Sequence, residues 1–358
     1  MTAPRIVVVV SGFPRRSETF ALAELAALER DGMLAAIFST KPGEAGACQP
    51  AAEPLRGRVT LLGGSTPASH AADAARHLAG VHVAAVHGYF AHTPAAVAEE
   101  LARRLRVPFG FSAHARDARK LPRDELHERS RRAACVVACN ADVAREFDGS
   151  GARLAIVPHG VDLRRFKALR RTASPCFTML AVGRLVEKKG LHVLVDAASQ
   201  LDIPWRLRIV GDGPERDRLA AQAGAAGIAD RVTFCGSLTH DALPHEYQQA
   251  DVVVVPSVRD AMGDRDGLPN VVLEAMAAGA AVVASDTGAI ATAIRDAVTG
   301  VLVRAGDARG LARALTTLAG DAGGRRRLGL AARTFVERDF DAGRCTTRFA
   351  SVLREAYA

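Results

Sequence analysis

Aromatic residues are scarce in this chain, at 5% of its 358 positions, and there is a single tryptophan. A surface that stacks bases between aromatic and basic side chains is therefore not on offer, and no nucleic-acid partner is expected. Cysteines are few and scattered. Cys48, Cys135, Cys139, Cys176, Cys235 and Cys345 show no paired CxxC spacing, so neither a zinc site nor a disulfide framework is expected, and reduced thiols fit the cytoplasm. No uncharged apolar run approaches the length of about eighteen residues that a membrane span needs, and "RIVVVV" (5–10) has the length of a strand. Neither a membrane span nor an export signal is expected. GxGxxG with a downstream acid, GxxxxGK[ST] and GxSxG are also missing, which argues against dinucleotide oxidoreductases, P-loop enzymes and nucleophile-elbow hydrolases. His82, His87 and His92 lack the i, i+4 spacing of a helical metal site.

What the chain does have is apolar content, at 49%, and an uneven charge. Of the net +8, Met1–Arg170 carries 24 Lys and Arg against 17 Asp and Glu, while the remainder carries 23 against 22. The basic residues cluster in "ARRLR" (102–106), "ARDARK" (115–120) and "RSRR" (129–132). They fit either a solvated surface or peripheral contact with an anionic membrane at its cytoplasmic face.

Short β-branched runs alternate with Ala- and Leu-rich segments of helical spacing. "RIVVVV", "VHVAAVHGYF" (81–90), "PFGFSAH" (108–114), "CVVAC" (135–139) and "ARLAIVPHG" (152–160) read as strands, and "SETFALAELAALERDG" (17–32) and "TPAAVAEELARRL" (93–105) as helices. The alternation restarts at "FTMLAVG" (177–183) and continues through "RLRIVG", "VTFCG", "DVVVVPS" and "AVVASD". This predicts an α/β fold of two doubly wound, Rossmann-like domains with parallel sheets, over 1–168 and 175–339, with a final helix at about 340–358 that can pack back on the first domain. Ligands of such sheets bind in the cleft beyond the carboxyl ends of the strands.

In "VGRLVEKKG" (182–190), Gly183 allows a close backbone turn, and Arg184 and Lys189 follow before the next helix. Two cations at a strand end beside a helix N-terminus suit a diphosphate. A solvated loop, with Glu187 neutralising Lys188 or Lys189, is the competing reading. "VGDGPERDRL" (210–219) repeats the arrangement with Gly211 and Gly213. In "GDRDGLPNVVLEAMAAG" (263–279), Leu268, Pro269 and Asn270 open a helix whose N-terminal amides can bind an anion or a sugar hydroxyl. Glu274 lies inside that helix, placed to accept from a vicinal diol such as a ribose, and Asp266 precedes the turn, within reach of a sugar.

Together "GRLVEKKG", "GDGP", "DGLPNVVLEAMAAG" and "DAVTGVLV" (296–303) resemble the retaining nucleotide-sugar glycosyltransferases of family four, which have the GT-B architecture. The front half agrees: "FPRRSETFALAELAALERDG" (13–32), "HGYFAHTPAAVAEELARRL" (87–105), "FSAHARD" (111–117) and "VPHGVDLRRF" (157–166) are similar to the colanic-acid and exopolysaccharide branch. The resemblance implies that Arg184 and Lys189 hold a donor diphosphate, Glu274 the ribose, and Asp266, Leu268, Pro269 and Asn270 the donor sugar. It further implies that Gly12 approaches the phosphates and that His114 sits at the reaction centre.

Two departures stand out. Asp266 replaces the first glutamate of the E-x7-E pair, and "TGAIATAI" (287–294) replaces a Gly-Ile-Pro-Glu turn. "DRD" (264–266) looks like a metal clamp of another architecture, and no metal or other cofactor is expected. The implied partners are a UDP- or GDP-sugar and a saccharide, lipid-linked or small-molecule acceptor, with retention of configuration and a place in polysaccharide, lipid-linked oligosaccharide or glycosylated-metabolite synthesis. A nucleotide-sugar hydrolase or epimerase, or an idle binding protein, are the alternatives. Specificity is expected in loops 40–70, 115–130 and 258–267.

Overall fold

The structure is a computed structural model that describes residues 3–15, 18–44, 52–168 and 176–358. Cys48, part of the 40–70 loop and most of the expected linker before Cys176 lie outside the described residues. Two compact units result: Met1–Gly160 with Ala342–Ala358, and Val161–Asp341.

The first unit is built on β1 (Ile6–Val10), β2 (Leu34–Ser39), β3 (Val59–Leu61), β4 (Ala85–Tyr89), β5 (Phe109–Ala113), β6 (Cys135–Ala138) and β7 (Leu154–Ile156), in the order β3-β2-β1-β4-β5-β6-β7. The second is built on β8 (Phe177–Val182), β9 (Trp205–Val210), β10 (Val232–Gly236), β11 (Val252–Val255), β12 (Ala281–Ser285) and β13 (Val301–Val303), in the order β10-β9-β8-β11-β12-β13. All pairings between these strands are parallel.

Each sheet is covered on both faces, which is why its strands are continuously apolar. In β1, Val7 and Val9 join one core with helices Pro67–His77 and Thr93–Leu105, while Ile6, Val8 and Val10 join another with helices Thr19–Arg30 and Ala342–Tyr357. The period of two in side-chain direction produces this division. In the second unit Met179, Ile209 and Val254 face one core, and Leu180, Val253 and Val255 the other.

The sequence places the domain boundary at 168–175, but the units divide at Gly160/Val161. Val161 N donates to Phe340 O at 2.8 Å, and Phe166 is buried in the second unit's core against Tyr247. The chain therefore enters the second unit before its first strand. The last helix belongs to the first unit, where Phe349, Leu353 and Tyr357 are buried. Tyr357 also closes a buried polar chain: its hydroxyl lies 2.8 Å from His87 Nδ1, and His87 Nε2 lies 2.9 Å from Ser112 Oγ. The segment 115–130, expected as a loop, instead forms helix Ala115–Ala118 and most of helix Arg123–Arg132.

Candidate active site

In each sheet the strand order reverses direction once, between β1 and β4 and between β8 and β11, and loops leaving adjacent strands there diverge to opposite faces. The sequence-predicted residues collect at these two places. Gly183, Arg184, Lys189, Gly211, Gly213, Asp266, Leu268, Pro269, Asn270 and Glu274 lie in the second unit, and Gly12 and His114 in the first.

After β8, the loop at Gly183 packs on the loop after β9. A Cβ on Gly211 would collide with Gly183 O, and one on Gly213 with Leu185 O, so close backbone approach accounts for both glycines. Arg184 is exposed, and its side chain has no hydrogen bond or ion pair among the described residues. Lys189 ends a 3-10 turn, Glu187–Lys189, ahead of helix Leu191–Ala198. Its Nζ donates to Asp266 Oδ2 at 2.8 Å, and Ser257 Oγ donates to the same oxygen at 2.8 Å. The residue before it, Lys188, is buried and donates to Asp264 Oδ2 at 2.9 Å.

Sequence reasoning gave no site role to Lys188, whose partner Asp264 is 76 residues away, or to Ser257, which meets Asp266 nine residues on across an irregular loop that carries no periodic signal. Among the described residues Glu187 forms no ion pair with either lysine, and its Oε1 accepts from Ala261 N at 3.3 Å. Ammonium groups engage both acids of the Asp-Arg-Asp run and oppose a cation between them. The "TGAIATAI" loop supports the same region: Gly288 packs on Asp266 O, and Ala289 N donates to Gly267 O at 3.1 Å.

Glu274, buried in helix Asn270–Ala277, is held by a second set of groups that the sequence did not disclose. Tyr247 OH donates to its Oε2 at 2.7 Å. Burial first, and then the charge of Glu274, push the Tyr247 phenol well above its usual pKa, so it stays a donor. Arg165 can only donate, and its Nη1 lies 2.7 Å from His240 Nδ1, so His240 carries its hydrogen on Nε2, 3.4 Å from Glu274 Oε1. That oxygen is the weakly engaged one.

In the first unit, His114 follows β5 amid Phe20, Tyr89, Phe90 and His159, with ring centroids 4.9–5.4 Å away. Its Nδ1 is 3.6 Å from Asp117 Oδ1, beyond hydrogen-bond distance, and finds no partner among the described residues. His159, carried by the "VPHGVD" segment but not singled out from sequence, lies 3.3 Å through Nδ1 from Glu24 Oε1, and Glu24 also accepts from Tyr89 OH. Burial pulls the His159 pKa down against the opposing pull of Glu24. Gly12 sits against Pro42 O and the Arg15 side chain, so packing within the unit already requires a glycine there. A depression of about 440 Å³, lined by Phe13, Lys41, Arg56 and Leu61 among others, opens at the carboxyl ends of β1, β2 and β3.

Much of the basic surface is internally paired. Arg103 and Arg104 share Glu100, Arg119 binds Asp142 and Glu146, and Arg132 binds Glu99 and Glu128. Among the described residues no helix is long and apolar enough to cross a membrane.

Two family models match in tandem, "Glycosyltransferase Family 4" over residues 17–165 and "Glycosyl transferases group 1" over residues 168–335. The chain belongs to the family-four glycosyltransferases. This glycosyltransferase is 36% identical over 219 residues to a D-inositol 3-phosphate glycosyltransferase of Nocardia farcinica, covering 55% of this chain and 47% of that one. Over 168 residues it is 36% identical to a putative colanic acid biosynthesis glycosyltransferase of Escherichia coli, covering 46% and 41%. It thus spans about half the length of the curated relatives it matches. Its fold is that of the GT-B glycosyltransferases, and it superposes on Anabaena HepE, solved in complex with UDP, with a TM-score of 0.82 at 19% identity over 98% of this chain and 100% of that one.

Proposed function

We propose that this glycosyltransferase moves a sugar from a nucleotide-diphosphate sugar to an acceptor hydroxyl with retention of anomeric configuration. The observation that carries the reading is the convergence of Arg184, Lys189, Asp266 and Glu274 at the strand-order reversal of the second unit. Breaking the bond from anomeric carbon to diphosphate puts negative charge on the leaving oxygens, and fixed cations there favour the transition state over the bound donor. Arg184 and Lys189 supply them. Glu274 Oε1 accepts from a ribose hydroxyl while Tyr247 and His240 hold the carboxylate in place. The held state of Asp266 argues against its acting as a covalent nucleophile, and supports front-face attack in which a departing phosphate oxygen takes the acceptor's proton.

The acceptor class is a saccharide, a lipid-linked sugar or a small molecule, in polysaccharide, lipid-linked oligosaccharide or glycosylated-metabolite synthesis. Pairing of Arg103, Arg104, Arg119 and Arg132 with carboxylates weakens the case for a basic face held at an anionic bilayer.

Thermal melts with UDP, GDP, ADP and dTDP test the donor class. UDP, the nucleotide in the Anabaena complex, is the first to try, and a saturating ligand should raise the melting temperature. No shift with any of the four removes the nucleotide site, and nucleotide release that is indifferent to every added acceptor points to a hydrolase. Glu274→Gln should raise the donor KM about tenfold with little change in kcat, because the diol contact exists before and during reaction. An unaltered KM places the ribose elsewhere.

A further inference from the structure

Lys188 precedes the lysine assigned to the diphosphate and is the more deeply buried of the two, at 8% exposure. A buried ammonium needs a counter-charge, and this one has two candidates. Its Nζ lies 2.9 Å from Asp264 Oδ2 and 3.7 Å from Asp266 Oδ1. Lys189 and Ser257 occupy the other oxygen of Asp266, Oδ2. These two lysines and two aspartates balance in charge.

The frame around them is tight. Val258 N donates to Lys188 O at 2.9 Å, and Gly190 lies so close to Pro256 O that any Cβ would collide with it. The segment that carries Asp264 and Asp266 is thereby stitched to the turn that carries both lysines.

A donor diphosphate competes with Asp266 for Lys189. If Lys189 simply left, Asp266 would lose its closest cation at 8% exposure, and a buried charge without close compensation is strongly unfavourable. We propose that Lys188 is the reserve counter-ion of this site: as Lys189 exchanges Asp266 for the diphosphate, Lys188 moves from Asp264 onto Asp266 Oδ1. Asp264, whose side chain is 26% exposed, is the acid that water can solvate in exchange. Lys188 is a positioning residue that touches no part of the donor. The inference rests on the reading that Lys189 binds the diphosphate.

Titration calorimetry of UDP into the full chain tests it, with melting curves to confirm folding. Lys188→Met should weaken UDP by about tenfold or more, since Lys189 is then confined to Asp266, whereas Lys188→Arg should restore most of the affinity. Weakening alone could reflect net charge. The Lys188→Met/Asp264→Asn double variant restores charge neutrality, and also protects the fold from an excess of buried acid. Exchange requires the double variant to bind as weakly as Lys188→Met, because Asp266 still has no second cation. Return to wild-type affinity in the double variant overturns the proposal. So does Lys188→Met binding within about twofold of wild type while Lys189→Ala loses UDP, which leaves the Lys189 reading standing. A Lys189→Ala variant that binds UDP normally overturns both.

Discussion

Replacing Arg184 or Lys189 with alanine should each lower turnover by about two to three orders of magnitude, because each removes a fixed cation from the leaving diphosphate in the transition state. Neither substitution threatens the fold. Arg184 is exposed, and its side chain has no hydrogen bond or ion pair to lose among the described residues. Lys189→Ala leaves Asp266 with Ser257 and with Lys188 Nζ at 3.7 Å. The loss should appear in kcat as well as in kcat/KM, since the charge that these groups meet develops as the bond breaks. Release of nucleotide from the donor identified by thermal shift, measured beside melting curves, checks it. If both variants turn over like the wild type, the diphosphate does not lie at this strand end.

The first unit should lose stability on acidification, with His87 as a principal cause. Its ring is fully buried in the chain that links Tyr357 to Ser112, and burial pulls its pKa down from 6.5 to about 3. Below about pH 6.5 the unfolded imidazole takes up a proton that the folded one refuses until about pH 3, so the unfolded state binds more protons across that window. Stability is therefore present above the unfolded pKa and falls as pH drops toward the folded one. At ~1.4 kcal/mol per pH unit, the full effect is on the order of 5 kcal/mol.

His87→Gln keeps polar atoms near Tyr357 and Ser112 but cannot titrate. It should be less stable than the wild type at pH 7.5 and should converge with it by pH 4 in denaturant melts. Curves that stay parallel from pH 7.5 to pH 4 would mean that His87 does not govern this loss. The destabilisation should also loosen the last helix, because Tyr357 is one of the side chains that hold it to the sheet.

Continuous Val and Ile runs made β1 and β11 legible, because a strand buried on both faces needs apolar residues at every position. The strands not read from sequence lack that signal. Leu34–Ser39 contains two alanines and a serine, and Val59–Leu61 and Val301–Val303 are three residues long. Helix Arg123–Arg132 has one apolar residue, Leu126, and owes its burial to that side chain and to Arg129 and Ser130. A polar segment of that kind carries no period to detect.

The sequence by itself determined the doubly wound class, the two series of strands, the positions of Arg184, Lys189 and Asp266 in loops that follow strands and that of Glu274 inside a helix, since these follow from local pattern and chain order. Motif order alone also pointed to the family. Partner choice was decided only by tertiary structure. Asp266 and Lys189 are 77 residues apart, Tyr247 and Glu274 are 27 apart, and His87 and Tyr357 are 270 apart. Ion pairs and hydrogen bonds act over a few ångströms, so which carboxylate meets which cation depends on how the sheet order brings β8 beside β11 and on how the last helix returns to the first unit.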